Sequence, residues 1–148
     1  MSRFEQFTLS VFCITHYWNK IATEKMKAYH LKGTYGFYLI LLAGAEEDMT
    51  AARLSELTLR DKADISRAVA QFQKQGLVKV DETRRYRAPI VLTEKGRMLA
   101  EQIQKEANEA LEIAGAGLSE NMRVDMYQAL FIISSNLKSL YEERKGRG

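Results

Sequence analysis

The sequence has 148 residues and a formal net charge of +3, with 46% hydrophobic and 28% charged residues. These values exclude a disordered chain and predict a single domain over 1–148 with a core of its own. Because the net charge is small, any nucleic-acid footprint has to come from clustered basic residues. A single proline favours a mainly helical protein.

The apolar runs and the cysteine content predict the cellular compartment of the protein. The chain opens on charged and polar residues instead of a basic segment followed by an apolar block, so we expect no secretory signal. The most apolar run, 37–43, is far shorter than a membrane span. One cysteine excludes an intramolecular disulfide and fits a reducing compartment, which predicts a cytoplasmic protein away from membranes.

The first predicted helix, roughly 3–29, is apolar on more than one face. One set of residues has the alternating three- and four-residue spacing of an a/d seam: Phe4, Phe7, Val11, Ile14, Trp18 and Ile21. A second set lies partly off that seam: Phe12, His16, Tyr17 and Ile21. Such a helix needs two neighbours, and we expect its own domain and a second subunit.

Two helices are predicted after the break at residues 31–34. Thr34 is the expected cap of a short apolar helix that runs from Tyr35 to about Ala45. Thr50 is the expected cap of the next helix, with Met49 and Leu54 in a hydrophobic staple. A short turn at 58–60 then separates this helix from the one that follows, which is the pattern of a helix-turn-helix.

Residues 60–76 predict a short helix with two contrasting faces, capped by Asp61 and ended by Gly76. Its buried face is expected to comprise Ile65, Ala68, Val69 and Phe72. Its outer face carries Ala63, Arg67, Ala70 and Lys74, flanked by Ser66 and Lys62. Small and basic side chains together let a helix backbone approach a DNA groove, as a recognition helix does. The alternative is an ordinary amphipathic helix with a solvated basic face.

A β-hairpin is predicted after this helix. Residues 77–80 and 90–93 favour strands, and they enclose the turn-rich segment 81–89. Arg84, Arg85 and Arg87 crowd around Tyr86 in that segment, which suits entry into a minor groove. A solvated basic loop is the alternative interpretation.

Two further helices close the chain. Thr93 is the expected cap of a long helix that ends near residues 115–117, and Ser119 is the expected cap of the last helix. The last helix has an apolar stripe that is wider than one face, which indicates a partner surface as at the N-terminus.

The segment RDKADISRAVAQFQKQGLV over 60–78 and LTEKG over 92–96 resemble the MarR family of winged-helix transcriptional regulators, and the resemblance extends over nearly the whole chain. It implies a mainly α protein with a small β-hairpin wing, in which a winged helix-turn-helix is flanked by N- and C-terminal dimerisation helices. Residues 1–33 and 97–148 would be mainly dimerisation helices, and 34–96 the DNA-binding lobe. Proteins of this family are homodimers on pseudo-palindromic operators and usually act as repressors.

The resemblance also implies roles for particular residues on double-stranded DNA. The expected contacts are Thr50, Arg53, Lys62, Ala63, Ser66, Arg67, Arg84, Arg85 and Arg87. Many members pair an Asp with an Arg at the wing tip; here the nearest acids are Asp81 and Glu82, which leaves open whether Arg84 or Arg85 is the reader. Asp64 either accepts from a cytosine amine or caps its own helix.

Many relatives are released from DNA by a small phenolic ligand, a metal or an oxidant. The residues available for an aromatic effector are His16, Tyr17, Met26, Tyr29, Tyr35 and Tyr38, with packing in a core as the alternative. Cys13 and Tyr17 have the spacing of a cysteine-based redox sensor, but Cys13 lies between Phe12 and Ile14, and a small buried hydrophobe is the other interpretation.

The sequence offers little for catalysis. His16 and His30 are too far apart along the chain to form a chelating pair, and no phosphate-cradling glycine-rich loop is present. We therefore expect no enzyme, no cofactor and no metal site. A winged-helix module for protein association that does not bind DNA is the rival function.

Overall fold

Six α-helices, one 3-10 turn and a two-stranded hairpin follow one another in the computed structural model, which describes residues 1–84 and 86–148. The elements in chain order are α1 (Arg3–Met26), the 3-10 turn (Lys27–Tyr29), α2 (Gly33–Ala43), α3 (Ala51–Thr58), α4 (Lys62–Lys74), β1 (Val78–Val80), β2 (Ile90–Leu92), α5 (Glu94–Ala114) and α6 (Glu120–Lys145). The chain divides into two units, Met1–Glu106 and Ala107–Gly148. This order of elements confirms the predicted fold class.

The predicted helix caps are confirmed at four positions. Thr50, Asp61 and Ser119 each accept a hydrogen bond from the backbone N–H three residues on, at 3.2, 2.7 and 3.2 Å. Thr93 does the same for the N–H of Gly96 at 3.1 Å. Side-chain oxygens therefore satisfy the first free N–H groups of α3, α4, α5 and α6.

The predicted cap of α2 at Thr34 is wrong. The helix begins at Gly33 with Lys32 in the cap position, and no side chain of the described residues caps it. A Cβ on Gly33 would lie 2.8 Å from Thr23 Oγ1. The glycine thus lets the first turn of α2 approach α1 closely, and the helix starts earlier than the threonine suggested.

The core of the first unit lies between α2, α3, α4, the hairpin and the beginning of α5. Its largest fully buried side chains are Tyr38, Phe72, Leu39, Leu54, Ile65 and Leu77. The hairpin is antiparallel, with Lys79 opposite Val91, and the N–H of Ile90 donates to the carbonyl of Met49 at 2.8 Å. The hairpin is thereby attached to the segment that leads into α3.

The LTEKG segment fixes the start of α5 to the end of α4. The Thr93 hydroxyl donates to the carbonyl of Gly76 at 2.7 Å, and Lys95 Nζ donates to that of Gln75 at 2.9 Å. A Cβ on Gly96 would lie 2.0 Å from the carbonyl oxygen of Leu77. A glycine is therefore required where α5 crosses the chain that leaves α4. Gly76 itself has the left-handed φ of 71° that was predicted for it.

The two long terminal helices expose large apolar side chains within their own units. Met26 is the buried residue of α1, and α6 has none. Phe4 on α1 is 75% exposed and Phe131 on α6 is 73% exposed. In the second unit, Arg123 pairs with Glu112 at 2.9 Å and so joins the end of α5 to α6. Across the described residues, no helix combines the length and hydropathy needed to cross a membrane.

Candidate nucleic-acid interface

The two predicted faces of α4 are present in the structure. Ile65, Ala68 and Phe72 are fully buried, whereas Val69 is only partly so. The opposite side is exposed at Ala63, Ser66, Arg67, Ala70 and Lys74. Lys62 in the first turn is exposed as well. A side of α4 with two alanines, a hydroxyl and three cations is thus available to a ligand.

The turn between α3 and α4 is held by side-chain bonds to the backbone. The Ser55 hydroxyl donates to the carbonyl of Arg60 at 2.5 Å, and that of Thr58 donates to the carbonyl of Leu54 at 2.6 Å. Leu59 ends α3 with a left-handed φ of 57° and is 88% exposed. The Ser55 bond therefore spans the turn between α3 and the residue before the Asp61 cap, whereas the Thr58 bond lies within the last turn of α3. The role of Ser55 is not apparent from the sequence.

The start of α3 presents a capping threonine and an arginine one turn later. Because the Thr50 Oγ1 accepts from the backbone, its hydroxyl proton remains available to an acceptor such as a phosphate. Arg53 is exposed and pairs with Glu56 at 2.9 Å, where both side chains are more than half exposed. Exposed pairs of this kind contribute little to stability, so Arg53 can exchange its partner at small cost.

Arg67 belongs to a chain of contacts that begins in the core. The Tyr38 hydroxyl donates to Asp64 Oδ2 at 2.6 Å, and Asp64 Oδ1 lies 3.7 Å from Arg67 Nη2. Tyr38 is 1% exposed, and burial together with the neighbouring carboxylate raises its pKa to about 12. Tyr38 is therefore a neutral donor at physiological pH. It fixes the carboxylate beside the arginine expected to read bases.

This contact answers the question that the sequence left open about Asp64. Its carboxylate accepts from Tyr38 across 26 residues of sequence, while Asp61 supplies the cap to the Asp64 N–H. Asp64 is therefore not the cap of α4, and its carboxylate is already engaged by the Tyr38 hydroxyl. The signal that could have found the pair was a tyrosine among the apolar residues of α2, since a buried phenol requires an acceptor.

The wing turn uses its aspartate internally. Asp81 Oδ1 accepts from both the N–H and the hydroxyl of Thr83, at 3.0 and 2.6 Å. These two hydrogen bonds lower the pKa of the Asp81 carboxyl. Asp81 thus shapes the turn, and within the described residues no wing arginine side chain donates a hydrogen bond to its carboxylate. Arg84, Tyr86 and Arg87 are exposed, whereas Arg85 lies outside the described residues.

The residues expected to bind an aromatic effector lie in several separate places. Met26, Tyr35 and Tyr38 are buried in the core, where the two tyrosine rings stack with their centroids 5.8 Å apart. The Tyr29 hydroxyl donates to Glu106 Oε1 at 2.5 Å, and this bond raises the pKa of Tyr29.

His16 and Tyr17 are exposed on α1, with ring centroids 4.9 Å apart in an edge contact. Cys13 is exposed one turn before Tyr17, so it is not part of the chain's own core. Among residues 1–84 and 86–148, no cluster of three His, Cys, Asp or Glu side chains is placed to hold a metal ion. The structure therefore groups the tyrosines of α2 together and leaves the polar residues of α1 apart from them.

The comparisons with known proteins concern structure alone. No protein-family model matches the sequence, and a search of curated proteins found no match. A MarR protein from Peptoclostridium difficile superimposes with a TM-score of 0.82 at 19% identity, covering 93% of this chain and 90% of that one. A MarR transcriptional regulator from Methanosarcina mazei gives 0.79 at 24% identity, with 92% and 99% covered.

A third similar structure contains DNA. The Staphylococcus aureus MepR–DNA complex gives a TM-score of 0.75 at 20% identity, covering 93% of this chain and 98% of that one. At these identities the likeness concerns the path of the chain, and it extends from the first helix to the last. The chain therefore has the winged-helix fold of the MarR-family transcriptional regulators.

Proposed function

We propose that this protein is a sequence-specific DNA-binding transcriptional regulator that acts in the cytoplasm as a homodimeric repressor on a pseudo-palindromic operator. The observation that carries the proposal is the exposed side of α4, where Ala63 and Ala70 flank Ser66 and Arg67. Small residues let the helix axis approach base edges, and an arginine can then make the bidentate contact that selects guanine. A related fold is bound to DNA in the MepR complex.

Other exposed residues would fix the register of the protein without specifying sequence. Thr50 and Arg53 lie at the N-terminal end of α3, where helix geometry favours phosphate, and Lys62 lies in the first turn of α4. Arg84 and Arg87 extend from the wing, and Arg85 between them is proposed for the same role on sequence alone. These contacts account for affinity, whereas Ser66 and Arg67 account for specificity.

The homodimer is supported by the apolar side chains that α1 and α6 leave in solvent. Phe4 and Phe131 are about three-quarters exposed, and neighbouring aromatic and aliphatic residues on each helix are exposed as well. Contiguous apolar surface of this kind is rare on monomers and marks a protein interface. A second copy of the chain is the partner that a pseudo-palindromic operator requires, with half-sites about 34 Å apart.

Release from DNA by a small aromatic effector is a further part of the proposal. The chain offers tyrosines with hydroxyls held by carboxylates, but Tyr29 and Tyr38 already bind Glu106 and Asp64. For an effector to be bound by His16, Tyr17, Met26, Tyr29, Tyr35 and Tyr38, the core around Met26, Tyr35 and Tyr38 would have to open, because these three side chains are buried. A redox-sensing alternative rests on the exposed Cys13. A peroxide-induced change in DNA affinity that is abolished in Cys13→Ser would favour it.

The test is selection of bound duplexes from a random library by the purified protein. We expect enrichment of an inverted repeat whose half-sites are one helical turn apart, because each subunit places one α4 in a major groove. The Arg67→Ala variant should enrich a less defined half-site, and Lys105→Ala, on the exposed side of α5, should enrich the same repeat as the parent. Enrichment of no consensus by the parent would contradict the proposal and favour a module for protein association.

A further inference from the structure

An open groove in the unit Met1–Glu106 adjoins the proposed recognition helix. It has a volume of about 560 Å³ and lies where the 3-10 turn after α1, the loop that follows this turn, the start of α2 and one side of α4 meet. The side chains that line it are Lys27, His30, Leu31, Lys32, Tyr35, Arg67 and Gln71. Of the residues expected to bind an aromatic effector, this lining includes Tyr35.

The charge of this lining is positive. Lys27, Lys32 and Arg67 are permanent cations at neutral pH, and the lining contains no carboxylate. Two acids at its edge reduce this charge only in part. Glu24 pairs with Lys27 at 2.8 Å with both side chains largely exposed, and Asp64 is 3.7 Å from Arg67. The exposed Lys27–Glu24 pair can exchange partners at little cost, whereas Asp64, whose side chain is 22% exposed, stays beside Arg67 and offsets part of its charge.

Of the three cations that line the groove, Lys32 is the one whose positive charge is least offset by a nearby carboxylate. In the described part of the chain it has no ion-pair partner, and its Nζ lies 5.7 Å from the centre of the Tyr35 ring. The loop that carries it is fixed by Gln75, whose Nε2 donates to the carbonyl of His30 at 3.3 Å. Because Lys32 is exposed and no carboxylate of the described residues pairs with it, its ammonium group can bind an anion that enters the groove.

The floor of the groove restricts the kind of anion. Leu31 and Tyr35 are 7% and 3% exposed, so they offer a ligand little apolar surface. Arg67 and Gln71 are four residues apart on α4 and lie on one side of it, where both can donate hydrogen bonds. Several hydrogen-bond donors around one open concavity suit a phosphate group, whose oxygens accept from lysine, arginine and amide together.

We propose that this groove binds a phosphate group, held by Lys27, Lys32 and Arg67 with Gln71 as an additional donor. Its effect on regulation rests on the proposed function, because Arg67 is also the residue expected to read bases. The phosphate belongs either to a small phosphorylated molecule or to the backbone of the DNA that α4 contacts. A free phosphate would draw Arg67 away from the bases and weaken DNA binding, whereas a backbone phosphate would extend the DNA footprint to the start of α2.

The first arm of the test measures phosphate binding without DNA. Inorganic phosphate is titrated into the full-length protein at constant ionic strength against chloride, and the amide resonances of Lys32, Arg67 and Gln71 are followed by NMR. We expect saturable shifts, with affinity about tenfold lower in Lys32→Gln, the loss expected for one charge-assisted hydrogen bond. Lys105→Gln removes an exposed lysine from α5 outside the groove and should bind as the parent does. Shifts that do not saturate, or that Lys32→Gln leaves unchanged, would overturn the proposal.

The second arm identifies the source of the phosphate on a duplex that the protein binds. The groove is assigned to a free phosphorylated molecule if inorganic phosphate inhibits DNA binding more than chloride does at equal ionic strength, and if this extra inhibition is absent in Lys32→Gln. The groove is assigned to the DNA backbone if Lys32→Gln lowers the affinity for specific and random DNA equally. The slope of log affinity against log salt concentration should then be smaller in magnitude by about one. If neither occurs, the link between the groove and DNA is refuted. If the protein binds phosphate but no DNA, the proposed function is refuted, whereas the proposal that the groove binds phosphate stands.

Discussion

Replacing Tyr38 with phenylalanine removes the hydroxyl that joins the core to α4. The lost bond is the 2.6 Å contact with Asp64 Oδ2, and a hydrogen bond to a charged group contributes about 1.5 to 3 kcal/mol. Because the Asp64 side chain is 22% exposed, water can replace part of what the phenol supplied. We therefore expect the low end, about 1.5 kcal/mol, which lowers the midpoint of thermal unfolding by roughly 3 to 6 °C in a chain of this size.

The assay is equilibrium unfolding in urea at pH 7, with Tyr35→Phe as the matched control. Tyr35 lies on the same helix and is 3% exposed, but its hydroxyl makes no hydrogen bond recorded within the described residues. The control should lose much less stability than Tyr38→Phe. Equal losses in the two variants would refute the reasoning, because the effect would then come from the change of ring and not from the bond to Asp64.

The raised pKa of Tyr38 adds a dependence on pH. The Tyr38 phenol is neutral when protonated, and its pKa is about 12 in the folded protein against 10 in the unfolded chain. Its contribution to the free energy of unfolding is therefore fully present below pH 10. That contribution is lost as the pH rises from 10 through 12, because the unfolded chain ionises first. The difference in free energy of unfolding between the parent and Tyr38→Phe should therefore shrink over this range. A constant difference would refute the assignment.

Three further predictions concern the DNA contacts, the start of α5 and the dimer. Arg67→Ala should lower the affinity for a selected operator by about 1 to 3 kcal/mol per half-site in a binding titration, and equal losses on random duplex would instead make it a phosphate contact. Gly96→Ala should destabilise the fold by about 3 kcal/mol or more in urea unfolding, since its Cβ would meet the Leu77 carbonyl, whereas Gly146→Ala should be nearly neutral because its nearest contact is 3.6 Å away. Phe131→Glu should raise the dimer dissociation constant by roughly a hundredfold in sedimentation equilibrium, and the same result from Gln128→Glu would mean that added charge alone dissociates the dimer.

The features that sequence predicted well depend on residues close together in the chain. Thr50, Asp61, Thr93 and Ser119 cap their helices through bonds to the third residue on, so the local pattern contains the whole interaction. The buried side of α4 follows in the same way from the helical period. Thr34 failed as a cap because Gly33 packs against Thr23, a contact between two helices that local pattern does not contain.

The features that sequence missed are contacts between distant residues. Tyr38 and Asp64 are 26 residues apart, and Tyr29 and Glu106 are 77 apart. Both tyrosines are candidate effector ligands in the sequence because an apolar ring with a polar tip suits an aromatic ligand, and the sequence does not show the carboxylate that holds each hydroxyl. The groove likewise assembles residues of the 3-10 turn, the loop after it, α2 and α4, and their shared charge becomes apparent only when these segments are packed together.

The central claim is that the exposed side of α4 reads a DNA sequence, and one titration tests it most directly. The purified protein is titrated against the duplex from its own promoter region and against random duplex of equal length, at two salt concentrations. We expect promoter binding to exceed random binding at both salt concentrations, since base contacts persist when counterion release is suppressed. Weak binding to both duplexes that disappears at the higher salt would contradict it, because the basic residues of α4 and the wing would then form only an electrostatic patch.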